Sequence, residues 1–120
     1  MFKATMLLRY RKDLEPAYVL SEWRGSHGAL ALTLPGLRRY VQNHWFGSPP
    51  QHERLYDASV DLWFDDESSF RAGFAGPEGQ AMMKDDLRLF DRLMTPAYIG
   101  GTVEERVMRW EPVKGDDRPR

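Results

Sequence analysis

The order of its local hydrophobic patterns is the feature that most restricts how this chain can fold. Segments in which apolar and polar side chains alternate, typical of half-buried strands, are interleaved with segments of helical spacing. The strand-like segments are residues 1–10, 37–45, 56–64 and 102–110. The helical segments are residues 16–34 and 67–90, the second interrupted at Gly76-Pro77. The predicted order is therefore β-α-β-β-α-β.

This order is that of a ferredoxin-like α+β fold, a four-stranded antiparallel sheet with both helices on one face. The uncovered face is predicted to carry side chains from three strands: Thr5, Leu7, Tyr40, Gln42, His44, Asp61 and Trp63. Such a mixture is too apolar for water and too polar for a simple core. Two of these sheets facing each other would close a barrel around a cavity, so the sequence predicts a homodimer, a dimeric α+β barrel.

Length and composition limit the remaining possibilities. The chain has 120 residues, of which 42% are hydrophobic, and we expect one domain over residues 1–110 with a flexible tail at 111–120. A net charge of −1 gives no electrostatic reason to expect nucleic acid or a membrane as a partner. There is no cysteine, the three histidines are scattered, and no nucleotide-binding motif is present, so neither a metal nor a cofactor is expected. No apolar segment resembles a signal or membrane span, and we expect a cytoplasmic protein.

One histidine stands out in the first helical segment. The side chains that share one face of this helix are Val19, Trp23, His27, Leu30 and Leu34. A titratable ring on an apolar stripe must find a hydrogen-bond partner or face a pocket. His27 is therefore either a core histidine bonded to a backbone carbonyl or a group that lines a binding cavity.

Other candidates also have two interpretations. Asp61 is unusual inside a strand and should meet a cation, an imidazole or water unless it only faces solvent. His44, beside the predicted loop at 47–54 that contains His52, is a base or a surface histidine. Tyr40 and Trp63 either pack or line the cavity. The charges that we expect to be ordinary solvated side chains are Asp85, Asp86, Arg88, Glu104 and Glu105.

A set of short motifs resembles the EthD-like family over nearly all of residues 1–108. The motifs are Trp23-x-x-x-His27, Leu30, Leu34-Pro35-Gly36, Tyr40, Asn43-His44, Tyr56-Asp57, Asp61-Leu62-Trp63-Phe64, Pro77-Glu78-Gly79 and Val103-Glu104-Glu105. The resemblance implies a dimeric α+β barrel, a role in small-molecule catabolism or polyketide-type chemistry, and active-site positions at His27 and Tyr40. Gly25 and Gly28 depart from the family's pattern and predict a looser helix around His27.

These features together predict a cofactor-independent enzyme that transfers protons on a small hydrophobic cyclic or aromatic carbonyl compound. His27 would be the acid or base, Asp61 would orient it, and Tyr40 and His44 would polarise the substrate oxygen. The predicted substrate contacts are Thr5, Leu7, Trp23, Gln42 and Trp63. Isomerase, cyclase, decarboxylase and dehydratase chemistry all remain open. A cofactor-free monooxygenase and a non-catalytic small-molecule-binding protein are the two alternatives.

Overall fold

The computed structural model describes residues 1–45, 56–91 and 99–108. Its strands are β1 (Phe2–Leu8), β2 (Arg39–His44), β3 (Ala58–Phe64) and β4 (Ile99–Thr102). Its α-helices are α1 (Pro16–Glu22), α2 (Gly28–Ala31), α3 (Glu67–Ala75) and α4 (Pro77–Leu89). The predicted loop at 47–54 with His52, and the predicted tail at 111–120, lie outside the described residues.

The four strands form one antiparallel sheet in the order β2-β3-β1-β4. The predicted ferredoxin-like α+β fold is confirmed. The residues of β1 are alternately buried and half-buried, because its even-numbered side chains pack beneath the helices. The core lies between the helices and this face, where Phe64 and Phe70 meet edge to face with ring centres 5.5 Å apart.

The predicted facing of β2 is wrong. Tyr40 lies opposite Leu62, Gln42 opposite Val60 and His44 opposite Ala58, and directly paired residues share a face of the sheet. Leu62 is in the core, so Tyr40, Gln42 and His44 point toward the helices and not to the uncovered face. The sequence of β2 does not indicate its orientation, because polar residues occupy both faces of this strand.

The first helical segment is shorter and less regular than predicted. Between α1 and α2 the backbone forms a π-helical turn at Trp23–His27, and the helix ends at Ala31 rather than at Leu34. A π turn contains an extra residue and rotates the next helical residues about the helix axis. Ala31 is therefore buried where the regular spacing had placed Leu30, which is only half-buried.

The second helical region divides close to the predicted interruption. Asp66 caps α3 by accepting a 2.7 Å hydrogen bond from the backbone N–H of Ser69, and Pro77 occupies the first turn of α4. The last strand differs from its prediction at 102–110. It covers only Ile99–Thr102, whose two glycines give no alternating pattern, and residues 103–108 are not in a strand.

Within the ranges that the structure describes, no helix is both long enough and apolar enough to cross a membrane.

Candidate active site

His27 is bound through both nitrogens of its ring. Its Nδ1 lies 2.8 Å from Asp85 Oδ2, and its Nε2 lies 2.9 Å from Asp86 Oδ1. The residue is only 4% exposed. A carboxylate only accepts hydrogen bonds, so an imidazole that donates to both carries a proton on each nitrogen. His27 is therefore buried and hydrogen-bonded, as a core histidine would be, but its partners are charged side chains and not a backbone carbonyl.

The charge state of His27 follows from two opposed effects. Burial acts to lower its pKa, but the hydrogen bonds and charges of Asp86 and Asp85 outweigh burial, and the pKa is raised above its ordinary value. The two carboxylates thus favour the imidazolium form more than water favours it in a free imidazole. Both carboxylates come from α4, so the charged ring also fastens the first helical segment to the last helix.

Asp85 and Asp86 were wrongly expected to be solvated. Asp86 is 4% exposed and lies on the inner face of α4, three residues before Leu89 and four after Met82. That spacing was the signal which could have identified it. Asp85 sits nearer the surface, where Arg88 Nε donates a 2.9 Å hydrogen bond to it and lowers its pKa.

The π turn brings His27 to this position and is supported from the sheet. Gln42 Nε2 donates a 3.0 Å hydrogen bond to the Trp23 carbonyl, which also accepts the backbone N–H of Gly28. A Cβ on Gly28 would lie 2.8 Å from that carbonyl oxygen and 3.0 Å from Gln42 Nε2. Gly28 therefore does not loosen the helix but permits its close contact with β2.

Tyr40 lies on the same side of the sheet as His27. Its hydroxyl oxygen accepts a 3.0 Å hydrogen bond from Gln42 Nε2. Burial raises the pKa of Tyr40, the hydrogen bond from Gln42 and the nearby Trp23 side chain act against that rise, and the negative charge of Asp86 adds to it. Tyr40 is consequently a neutral phenol near neutral pH and a potential hydrogen-bond donor.

His27, Asp86 and Tyr40 meet at one internal cavity. The rest of its wall is formed by Trp23 and by apolar side chains from the sheet and α4: Met6, Leu8, Val60, Leu62 and Met82. Its volume is about 10 Å³, the room needed by roughly one water molecule. On the outer side of the π turn lies a surface groove of about 340 Å³, which Tyr40 also lines.

His44 lies at the edge of this group. Its ring packs against Trp23 with centres 4.3 Å apart, and its Nε2 donates to Gln42 Oε1 at 2.8 Å. Its Nδ1 is buried without a hydrogen-bond partner among the residues that the structure describes. Burial, with a contribution from the positive charge of Arg24, lowers the pKa of His44. His44 is thus favoured as a neutral ring.

The predicted pairing of Asp61 with His27 is wrong, because the two residues lie on opposite sides of the sheet. Asp61 accepts hydrogen bonds from the Thr5 hydroxyl at 2.6 Å and from Asn43 Nδ2 at 3.0 Å. It faces the uncovered side together with Leu7 and Trp63, as expected from the alternation of β1 and β3.

Trp63 is held on this uncovered side by charged groups. Its indole nitrogen donates to Glu105 Oε1 at 2.9 Å, and the cations of Lys3 and Arg39 lie 4.8 and 4.5 Å from the ring centre. Glu105 is exposed, as expected, and also accepts this hydrogen bond from Trp63. The candidate residues divide into two groups: one beneath the helices and one on the open face.

No group of three or more metal-ligating side chains is arranged to hold a metal ion in the described parts of the chain.

The sequence pattern of the EthD domain matches residues 11–93, which include β2, β3 and all of the helices. The chain belongs to the EthD family. Among curated proteins, no relative matches it.

Solved structures show the same fold at low sequence identity. An ethyl tert-butyl ether degradation (EthD) family protein from Bacillus halodurans is 21% identical, with a TM-score of 0.65 and coverage of 87% of this chain and 100% of that one. A dimeric ferredoxin-like protein of unknown function from Thermobifida fusca is 18% identical, with a TM-score of 0.66 and coverage of 85% and 90%. SnoaB, a cofactor-independent oxygenase from Streptomyces nogalater, is 15% identical, with a TM-score of 0.58 and coverage of 89% and 98%.

Proposed function

We propose that this EthD protein is a cofactor-independent enzyme that moves a proton on a small hydrophobic cyclic or aromatic carbonyl compound. One observation carries the proposal. The buried His27–Asp86 pair and the side chain of Tyr40 line the same otherwise apolar cavity. A charged pair beside a phenol supplies a proton acceptor and a hydrogen-bond donor in surroundings that exclude water.

The proposed step begins with His27 protonated and Asp86 ionised. Asp86 removes a proton from the carbon next to the substrate carbonyl, and the electron pair of the broken C–H bond forms the C=C bond of an enolate. The protonated Asp86 exchanges its proton with solvent when the cavity opens, and return of a proton from Asp86 to the same or another carbon completes an exchange or an isomerisation. His27, 2.9 Å away, stabilises the pair and orients the carboxylate. This assigns to Asp86 the partnership with His27 that the sequence had suggested for Asp61.

Tyr40 would stabilise the charge that develops during this step. Its neutral phenol can donate a hydrogen bond to the carbonyl oxygen, which becomes negative as the enolate forms. Loss of one such donor typically reduces turnover by about a hundredfold to a thousandfold. His44, whose neutral ring is bonded to Gln42, is assigned a supporting position instead of the polarising role suggested by the sequence.

Substrate binding requires the cavity to widen. Its two methionines, Met6 and Met82, have flexible side chains that can change rotamer at low cost. Tyr40 lines both the cavity and the outer groove, so the proposed path of the substrate runs past its side chain. The apolar wall suits an uncharged ring with one carbonyl group, because the neighbouring carboxylates Asp85 and Asp86 disfavour an anion.

The test is exchange of substrate protons for deuterium. The protein is incubated in D2O with a panel of small cyclic and aromatic ketones, and loss of the proton signal next to the carbonyl is followed by NMR. Asp86→Asn should lower the exchange rate by about a hundredfold or more, and Tyr40→Phe should also lower it. Arg38→Gln, at an exposed ion pair with Asp65, is the matched control and should not change the rate.

The two alternatives are distinguished in the same experiment. Oxygen consumption that accompanies exchange would replace the isomerase-type proposal with the monooxygenase, since a carbanion is the species that reacts with oxygen. Saturable binding of a compound from the panel without any proton exchange would favour the alternative of a non-catalytic binding protein. Exchange that is unaffected by Asp86→Asn would refute the proposed base.

We also propose a homodimer, formed through the uncovered face of the sheet. Leu7 and Val41 are half-buried on this face, and Ile99 in β4, 66% exposed, is paired with Thr5 of the same face. Apolar side chains in this number are typical of a surface that is covered by a partner. The Thermobifida fusca protein of the same fold is described as dimeric, which supports the proposal.

A further inference from the structure

We propose that Gln42 is a positioning residue, whose side-chain amide directs the Tyr40 hydroxyl hydrogen into the cavity and holds the π turn that carries His27. The inference extends the proposed function, because it concerns the geometry of the same cavity. It rests on three contacts of one amide group and on the glycine that leaves room for them.

The side-chain amide of Gln42 uses almost all of its hydrogen-bonding capacity. Its Nε2 donates to the Trp23 carbonyl at 3.0 Å and to the Tyr40 hydroxyl oxygen at 3.0 Å. Its Oε1 accepts from His44 Nε2 at 2.8 Å. Rotating the amide by 180° would place Gln42 Oε1 against the Trp23 carbonyl oxygen, two acceptors facing each other, whereas the Tyr40 hydroxyl and the His44 ring can each donate or accept. The orientation of Gln42 is therefore determined by its neighbours.

This orientation determines what Tyr40 can do. A hydroxyl oxygen that accepts a hydrogen bond from Gln42 cannot direct its own hydrogen along the same line. The hydrogen must point elsewhere. Tyr40 lines the outer groove and the cavity, and the cavity is the side on which a charged hydrogen-bond acceptor, the Asp86 carboxylate, lies. Gln42 thus makes Tyr40 a donor to the cavity, the role that polarisation of a carbonyl requires.

Gly28 makes the contact of Gln42 with the helix possible. A methyl group there would meet the Trp23 carbonyl oxygen at 2.8 Å and Gln42 Nε2 at 3.0 Å, closer than a side chain tolerates beside backbone. Gly25, three residues earlier in the same turn, has nothing within 4 Å of the corresponding position. The two glycines therefore provide a matched pair of substitutions, one that disturbs the contact and one that does not.

The experiment follows Tyr40 directly and does not require turnover. The protein is labelled with 3-fluorotyrosine, which titrates at lower pH than tyrosine, and the Tyr40 signal is assigned by its loss in Tyr40→Phe. In Gln42→Met the hydrogen bond that favours the phenolate is lost, so the pKa of Tyr40 should rise. Gly28→Ala should shift it in the same direction, and Gly25→Ala should leave it unchanged.

Each outcome bears on the proposal. An unchanged Tyr40 titration in folded Gln42→Met would overturn it, as would an equal shift in Gly25→Ala. Should Gln42→Met fail to fold, the titration of Tyr40 in Gly28→Ala and in Gln42→Glu tests the proposal instead. The carboxylate in Gln42→Glu accepts the Tyr40 hydrogen and turns it away from the cavity.

If the deuterium exchange proposed above is found, Gln42→Met should lower its kcat by about tenfold to a hundredfold with a smaller change in KM. The titration remains a test of Gln42 even if no exchange occurs. If the wild type catalyses exchange but the pKa of Tyr40 is unchanged in Gln42→Met, only the positioning role of Gln42 is refuted.

Discussion

The buried pair of His27 and Asp86 should make a large contribution to folding that depends on both partners. Their side chains are 5% and 6% exposed, so replacing His27 with Leu leaves the Asp86 carboxylate buried beside an apolar group. Removing one partner of a buried pair typically costs about 3–5 kcal/mol, because the remaining charge loses its ionic partner but stays away from water. We expect a loss of this size in His27→Leu.

The double variant separates lost packing from the uncompensated charge. In His27→Leu/Asp86→Leu no charge remains buried at the contact, so the loss of unfolding free energy should be well below the sum of the two single losses. Asp85 keeps its hydrogen bond from Arg88 in every variant and should contribute little to the difference. Urea unfolding of the four proteins of this cycle, at one pH near neutrality, measures the coupling.

The matched control is the pair formed by Arg38 and Asp65 at the surface. Their Nη2 and Oδ2 atoms are 3.0 Å apart, a similar separation, but the side chains are 57% and 53% exposed. Solvent weakens such a pair, so Arg38→Leu should change stability far less than His27→Leu. Equal, small losses in the two variants would refute the assignment of His27 and Asp86 as a buried ion pair.

Four further predictions concern pH, cavity volume, the dimer and Asp61. The pKa of His27 in the folded protein is raised above 6.5, so the stabilisation by the charged ring should be complete below about pH 6.5. It should be lost as the pH rises through the pKa of the folded state. In His27→Gln, the free energy of unfolding in urea should no longer depend on pH in this range. Met82→Ala should lower the free energy of unfolding by about 2–5 kcal/mol and should allow the enlarged cavity to bind larger apolar rings. Thermal unfolding with and without such compounds measures both effects. If the variant binds the same compounds as the wild type, the proposed site is contradicted. Sedimentation should give about twice the chain mass of 14.0 kDa, and a charge at the exposed Ile99, in Ile99→Asp, should give a monomer; a monomeric wild type would refute the dimer. Asp61→Asn should leave the NMR titration of His27 unchanged, since the sheet separates them.

The fold was largely predictable because it depends on periodicity. The alternation in β1 and β3 and the order of the elements are properties of apolar side chains, and most of those side chains are buried as expected. β4 was misplaced since its Ile-Gly-Gly-Thr sequence contains one apolar residue, and pairing with β1 determines its position. The π turn was missed because nothing in regular helical spacing signals an added residue.

The site was only partly predictable because two of its determinants are tertiary. The apolar stripe correctly indicated that His27 is buried, but its partners lie 58 and 59 positions later in the chain. Asp86 resembled a surface charge in a charged run, although its spacing from Met82 and Leu89 places it on the inner face of α4. Because the prediction also exchanged the two faces of β2, it placed Tyr40, Gln42 and His44 on the wrong side of the sheet.

That correction changes how the polar residues of β2 are explained. On an open face, Tyr40, Gln42 and His44 would need only water; beneath the helices, each polar group must find a partner or lose free energy. The Gln42 amide bonds both neighbours and the Trp23 carbonyl, so one amide supplies partners to Tyr40 and to His44 Nε2, while His44 Nδ1 has none among the described residues. A purely structural strand would place apolar residues here at lower cost. The retention of a bonded polar network next to the cavity is therefore an argument for function at the His27 side of the sheet.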